Sequence, residues 1–173
     1  MGVVARESRF ALPERERRFL VAEEPPQGGE CREISDRYLD GTRLRLRRVV
    51  HPSGALELKL TQKLPGDPWG RLTTLYLDEP EYDVLAGLPA ATLTKRRYRV
   101  AESYDVVDVF EGALTGLVVA EIEFDDEGAA EAYVPPDGCV EVTRDPSFTG
   151  GALARADAPA VLRRAHDLLA RTL

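Results

Sequence analysis

A mainly β fold with flanking helices, built from antiparallel strands numerous enough to close into a barrel, is predicted by three observations in this sequence. Charged residues recur at even spacing in separate stretches: Glu14 and Glu16, then Arg43, Arg45 and Arg47, then Lys59 with Lys63, then Glu121 and Glu123. In extended chain alternate side chains share a face, so each stretch presents one charged face. Leu44 and Leu46 interleave with the arginines, which is the period of a strand and not of a helix. Clusters of turn residues, such as His51-Pro52-Ser53-Gly54, separate these runs at hairpin distances.

The elements follow in order. Residues 1–13 lack sustained periodicity and read as a mobile lead-in, with the ordered fold beginning near Glu14. A strand over 15–21 ends in Phe19, Leu20 and Val21, and the break at 24–29 has strong turn composition. Strands over 32–39, 42–50 and 55–62 form an antiparallel meander, closed by the loop at 63–68. Residues 71–78 resume extended structure, and Pro80 suits the first turn of a short helix over 79–88. Further strands at 92–100, 104–110 and 117–124 bring the total to at least eight, a number that tends to curl or close because closure removes exposed edges. Val161, Leu162, Ala165, Leu168 and Leu169 share a helical face after Asp157 and Pro159 and predict a C-terminal helix covering the exterior of the sheet.

Composition narrows the class. With 173 residues, 43% apolar and 7% aromatic, the chain is expected to be one soluble domain, 1–173, with a real core. A net charge of −7 argues against general adhesion to nucleic acid, although the basic residues are concentrated in a few alternating runs. Cys31 and Cys139 lack metal-ligand spacing, and the N-terminus lacks the apolar core of a secretory signal, so the cytoplasm is the expected location. No apolar run approaches the roughly 20 residues of a membrane span, and no membrane partner is expected. His51 and His166 read as surface histidines without partners at metal spacing. Gly28-Gly29 and Gly150-Gly151 read as turns and Trp69 as a packing residue at a loop end.

On any single strand, alternating charges are explained by water on one face and core on the other. Several strands together change this. Arg43, Arg45 and Arg47 in register repel one another on an open face, and Lys59, Lys63, Lys95, Arg97 and Arg99 add to the same basic wall. Such a wall calls for an anion, and phosphate suits it because guanidinium groups bind its oxygens in pairs. Hard divalent ions such as magnesium and manganese prefer carboxylate oxygen and commonly bridge protein to substrate phosphates, a role open to Glu14, Glu16, Glu121 and Glu123.

The order of these pieces resembles a known family. Glu14-Arg15-Glu16-Arg17-Arg18 resembles the N-terminal ExExK signature of the CYTH superfamily, the triphosphate tunnel metalloenzymes. Tyr38-Leu39 with Arg43-Leu44-Arg45-Leu46-Arg47, then Leu58-Lys59-Leu60-Thr61-Gln62-Lys63, continue the match. Lys95-Arg96-Arg97-Tyr98, Asp108-Val109-Phe110-Glu111-Gly112, Gly116-Leu117 with Glu121-Ile122-Glu123, and Glu141-Val142-Thr143-Arg144-Asp145 complete it, so the resemblance covers nearly everything from Glu14 to about Leu153. It implies an eight-stranded antiparallel closed barrel, open at both ends as a tunnel, with charged residues inside and apolar ones outside under helices.

By the same resemblance Glu14 and Glu16 would bind Mg2+ or Mn2+, with Glu121, Glu123 and Asp108 on opposing strands. Glu14, Glu16 and Arg18 would form the catalytic group. Arg43, Arg45, Arg47, Lys59, Lys63, Arg71, Lys95 and Arg97 would grip phosphate. Family members hydrolyse inorganic triphosphate or thiamine triphosphate, and some make cyclic AMP. The expected activity is metal-dependent hydrolysis of a small polyphosphate, inorganic tripolyphosphate first. A non-catalytic polyphosphate or nucleotide module, a hydrolase of an organic di- or triphosphate, and last an adenylate cyclase are the alternatives.

The chain departs from the family in three places. Arg18 stands where the signature has lysine, and arginine cannot give up its proton to act as a base. Thr73 and Leu75 stand where relatives alternate glutamates, so that an inward Leu75 would give the tunnel an apolar patch. The family asparagine is missing around Thr149-Gly150. The apolar face of the C-terminal helix leaves monomer and homodimer both open.

Overall fold

A computed structural model describes residues 9–25, 30–66, 69–100 and 104–172. Residues 1–8 and Gly28-Gly29, for which the sequence predicts a mobile lead-in and a turn, lie outside the described residues. The strands are β1 (Leu12–Glu14), β2 (Glu16–Leu20), β3 (Cys31–Leu39), β4 (Leu44–Val50), β5 (Leu56–Leu64), β6 (Gly70–Leu77), β7 (Ala90–Arg99), β8 (Val106–Phe110), β9 (Val118–Glu123) and β10 (Val140–Glu141). The helices are α1 (Glu79–Ala86), α2 (Glu127–Ala132), α3 (Gly150–Leu153) and α4 (Ala158–Ala170). The predicted strands and both predicted helices are present, with ends shifted by a few residues. Ordered strand begins at Leu12, two residues earlier than the sequence suggests.

All ten strands belong to one sheet, in the order β1-β6-β5-β4-β3-β7-β8-β9-β2-β10, and each pairing is antiparallel. The hydrogen-bonded ring of eight strands expected from the sequence is not what forms: the ladder has two ends, β1 and β10. Instead, Arg15 alone separates β1 from β2. The first part of this segment pairs with β6, through Leu12 and Leu72, and the second with β9, through Glu16 and Glu123. One stretch of chain therefore joins opposite ends of the sheet, which must curl round an interior face.

Two apolar clusters hold the two faces. On the outer face Phe19, Tyr98, Val107, Val109, Val118 and Ala120 pack with Tyr133, beyond the end of α2, and with Cys31 and Cys139. Elsewhere on this face Leu46 and Leu58 are buried where α1 packs against β4 and β5. Asp78 caps α1, accepting from the Glu81 amide while the Glu81 side chain accepts from the Asp78 amide, and Pro80 fills the first turn.

The other cluster corrects the expected position of the C-terminal helix. Leu20 shares a strand face with Arg18, Leu93 with Lys95, and Val119 with Glu121, so these apolar residues point inward. They pack with Phe148, Leu153, Val161 and Ala165, and Leu162, Leu168 and Leu169 lie against the same cluster. Thus α3 and α4 stopper one end of the curled sheet and do not cover its exterior, and the interior is not a tunnel open at both ends. Helical periodicity showed that α4 has an apolar face but not which surface receives it. Gly150 permits the close approach of α3, because a Cβ there would lie 2.0 Å from the Tyr38 hydroxyl. No helix of the described residues is long and apolar enough to cross a membrane.

Candidate active site

The inner face encloses a cavity of about 830 Å³. Glu14, Glu16, Glu121 and Glu123 line it, as do Arg18, Arg43, Arg45, Arg47, Lys59, Lys63, Lys95 and Arg97. Alternation along each strand sends these side chains inward, and pairing brings the strands together: Glu16 lies opposite Glu123, Arg18 opposite Glu121, and Arg47 opposite Lys59. Asp108 and Arg71, both expected at the site, do not line the cavity. Asp108 shares the inward face with Arg97 but is fully buried under the Lys95 and Arg97 side chains, and Arg71 is exposed on the outward parity of β6. Arg99 is likewise exposed, at the end of β7. Tyr38, Trp69, Thr143 and Arg155 also line the cavity. Tyr38 and Thr143 fall within the motifs that carry the family resemblance and Trp69 was read as a packing residue at a loop end, whereas Arg155 had no sequence signal.

The carboxylates repel one another. Burial, and then the neighbouring Glu121 and Glu14 charges, push the Glu16 carboxyl up to about 7, although Lys63 and Arg18 pull the other way. Burial also raises Glu123, helped by Glu14, Asp105 and Glu121. Lys63 holds Glu14 at 2.5 Å, and Arg97 holds Glu121. Among the described residues no three His, Cys, Asp or Glu side chains are already gathered as a metal-binding group. The donor chemistry nevertheless fits a hard divalent cation: these are oxygen ligands only, and Glu14, Glu16, Glu121 and Glu123 line one cavity.

The basic groups divide by what already holds them. Arg47 donates through Nε and Nη2 to the two oxygens of Asp36, at 2.6 and 2.7 Å. Arg97 donates to Asp108 in the same fashion, again at 2.6 and 2.7 Å, and Lys95 donates to the same carboxylate. Burial raises the Asp108 carboxyl, but Lys95 and Arg97 outweigh it and hold it far below the usual range. Burial lowers Lys95 in spite of Asp108. Lys59 pairs with Glu57 at 2.7 Å and sits over the Tyr76 ring. Among the described residues Arg43 makes no ion pair.

Arg18 has a different occupation from the one its position suggests. Its Nη1 donates to the Phe148 carbonyl and its Nη2 to the Thr143 carbonyl, both at 2.8 Å, and its Nε lies 3.6 Å from Glu16. The guanidinium thus ties β2 to the segment that carries the stopper. Five fixed donors suit that task better than the point charge of a lysine.

Thr73 and Leu75 are not inside. Lys63 pairs with Leu72, Thr61 with Thr74 and Lys59 with Tyr76, and directly opposed side chains share a face. Leu72 and Thr74 therefore take the inward places, while Leu75 is 56% exposed on the outer face. The apolar patch is supplied by Leu72, which lines the cavity. Leu75→Glu is expected to leave stability within about 0.5 kcal/mol and phosphate affinity unchanged. Urea unfolding and calorimetry would check this, and a large loss of either would return Leu75 to the interior.

A curled antiparallel sheet with facing acidic and basic walls inside it is the arrangement that the resemblance to the CYTH superfamily implies, and the proteins this chain is similar to agree with it. The inorganic triphosphatase of Nitrosomonas europaea is 29% identical over 158 residues, a match covering 83% of this chain and 97% of that protein. A crystal structure of an inorganic triphosphatase superposes with a TM-score of 0.58 at 27% identity, covering 84% of this chain and 96% of the other. A structure from Bacillus halodurans that carries a provisional adenylate cyclase name matches at a TM-score of 0.50 and 16% identity, over 72% of this chain and 87% of its own, which speaks to the fold alone. No family model matches the sequence.

Proposed function

We propose that this protein is a divalent-metal-dependent triphosphatase that hydrolyses inorganic tripolyphosphate. The observation that carries the reading is the facing of the two charged walls across one cavity, in a chain with an inorganic triphosphatase as its relative over most of its length. Glu14, Glu16, Glu121 and Glu123 would hold magnesium or manganese, which would polarise a phosphoryl group and activate water. Arg43, Arg45 and Lys59, with the uncommitted edges of Arg47 and Arg97, would take the phosphate oxygens and stabilise charge as it shifts to the leaving group. Arg18 orients the stopper and does not move a proton. Asp108 fixes Lys95 and Arg97 from behind.

Leu64, Pro65, Trp69 and Leu72 give the cavity an apolar side, which favours an organic triphosphate as the second reading. Phosphate release from tripolyphosphate, ATP, thiamine triphosphate and an organic diphosphate, each with magnesium, manganese or chelator, separates the two. Metal-dependent release fastest from tripolyphosphate is expected. Faster release from an organic ester would favour the second reading, and binding without release from any of them would make the cavity a holding site.

A further inference from the structure

Asp36 is the buried carboxylate of the basic wall that neither the metal site nor the phosphate grip uses. It is 1% exposed and stands directly opposite Arg47 across β3 and β4. Both its oxygens are committed to Arg47, and Arg45 Nε lies 3.9 Å away. Burial pushes the Asp36 carboxyl up, but Arg47, then Arg45 and Lys95, outweigh it and hold it below the usual carboxylate range, so it is charged. Carrying a charge into the interior is unfavourable, and a well-packed apolar pair would stabilise the same space at least as well. What the carboxylate does obtain is direction. With Nε and Nη2 of Arg47 fixed from behind, Nη1 is the edge left to the cavity that Arg47 lines. Arg45 is held more loosely than Arg47: its Nε is buried without a hydrogen bond, its Nη2 reaches Thr61 at 3.4 Å, and its other side-chain partner is the Tyr38 hydroxyl, not a carboxylate fork.

We infer that Asp36 is a positioning residue that aims Arg47 at bound phosphate and leaves Arg45 to be ordered by the ligand itself. The inference rests on the triphosphatase reading for the identity of the ligand. Its logic repeats the Asp108 and Arg97 pair, where another directly opposed aspartate occupies the same two nitrogens. Two arginines are thereby preorganised before any anion arrives, which lowers the ordering cost of binding.

A double-mutant cycle tests it. Tripolyphosphate affinity is measured by calorimetry in chelator for wild type, Asp36→Asn, Arg47→Gln and the double variant, and kcat and KM are measured with magnesium. In the wild-type background Arg47→Gln is expected to weaken binding about tenfold, as for loss of a charge-assisted hydrogen bond. In the Asp36→Asn background the loss should shrink to less than about threefold, because an unaimed Arg47 has little left to lose. Asp36→Asn should lower kcat by about 10- to 100-fold, with KM rising no more than the roughly tenfold that loss of the aimed Arg47 contact costs. Equal losses in both backgrounds would overturn the inference. If Asp36→Asn does not fold, Asp36→Glu keeps the charge and shifts the guanidinium; a kcat equal to wild type in that variant would also overturn it. Absence of phosphate release from wild type would sink the triphosphatase reading alone and leave the binding cycle intact.

Discussion

Glu16→Ala is expected to abolish metal-dependent phosphate release from tripolyphosphate, with a fall of about 10²–10³-fold, and yet to stabilise the metal-free protein above neutral pH. On the proposed function, the first effect follows from removing an oxygen ligand and with it part of the charge stabilisation in the reaction. The second follows from the burial and the Glu121 and Glu14 charges that push Glu16 up to about 7 from 4.5. A group raised in the folded state contributes stability fully below 4.5, and this is lost as pH climbs through 7. In chelator, wild type should therefore lose stability across that window, on the order of 3 kcal/mol if Glu16 acted alone. Glu16→Ala should flatten the loss. Thermal unfolding between pH 4 and 8, with phosphate release at pH 8, measures both. Surviving metal-dependent release would remove Glu16 from the metal set, and an unchanged pH slope would remove the repulsion.

Asp108→Ala is expected to destabilise the fold by about 3–5 kcal/mol, the cost of leaving buried cations without their partner. Asp108 is fully buried, and it answers Lys95 and Arg97 together. Its carboxyl is depressed, so the stability it brings is present above 3.8 and lost as pH falls below that value. Urea unfolding in chelator near pH 7 reads the effect directly. A residue acting chiefly as a metal ligand would give another result: unchanged stability in chelator, with weaker binding of magnesium. Asp36→Ala belongs to the same class, although an anion bound to the cavity-lining Arg45 and Arg47 would offset part of its loss.

The alternation of charge made the strands and the lining of the cavity legible, because the period of a strand is a local property that no tertiary contact can reverse. Glu16, Arg45, Lys59 and Glu121 are inside for that reason. Register across strands is not local. Counting along β6 from Arg71 led to Leu75 as the inward residue, whereas pairing of Lys63 with Leu72 fixes the opposite parity. Short elements were missed for the same cause: β1, β10 and α3 span two to four residues and exist because neighbours pair with them or cap them. The charge of Arg18 was legible, but its destination depended on where the Thr143 and Phe148 carbonyls came to lie. Asp36 was passed over because an isolated aspartate in a strand carries no spacing signal until Arg47 is opposite it.

Arg15, where the first strand changes partners, puts a seam through the middle of the acidic wall. Glu14 hangs from the three-residue ladder with β6, while Glu16 is anchored to β9. A ladder that short at the end of a sheet is among the first to open in the breathing of a folded protein. Glu14 thus rides on the looser lip of the seam, tethered by Lys63 of the firmly paired β5, and Glu16 on the firmer, so the spacing between two neighbouring carboxylates is adjustable without unfolding anything else.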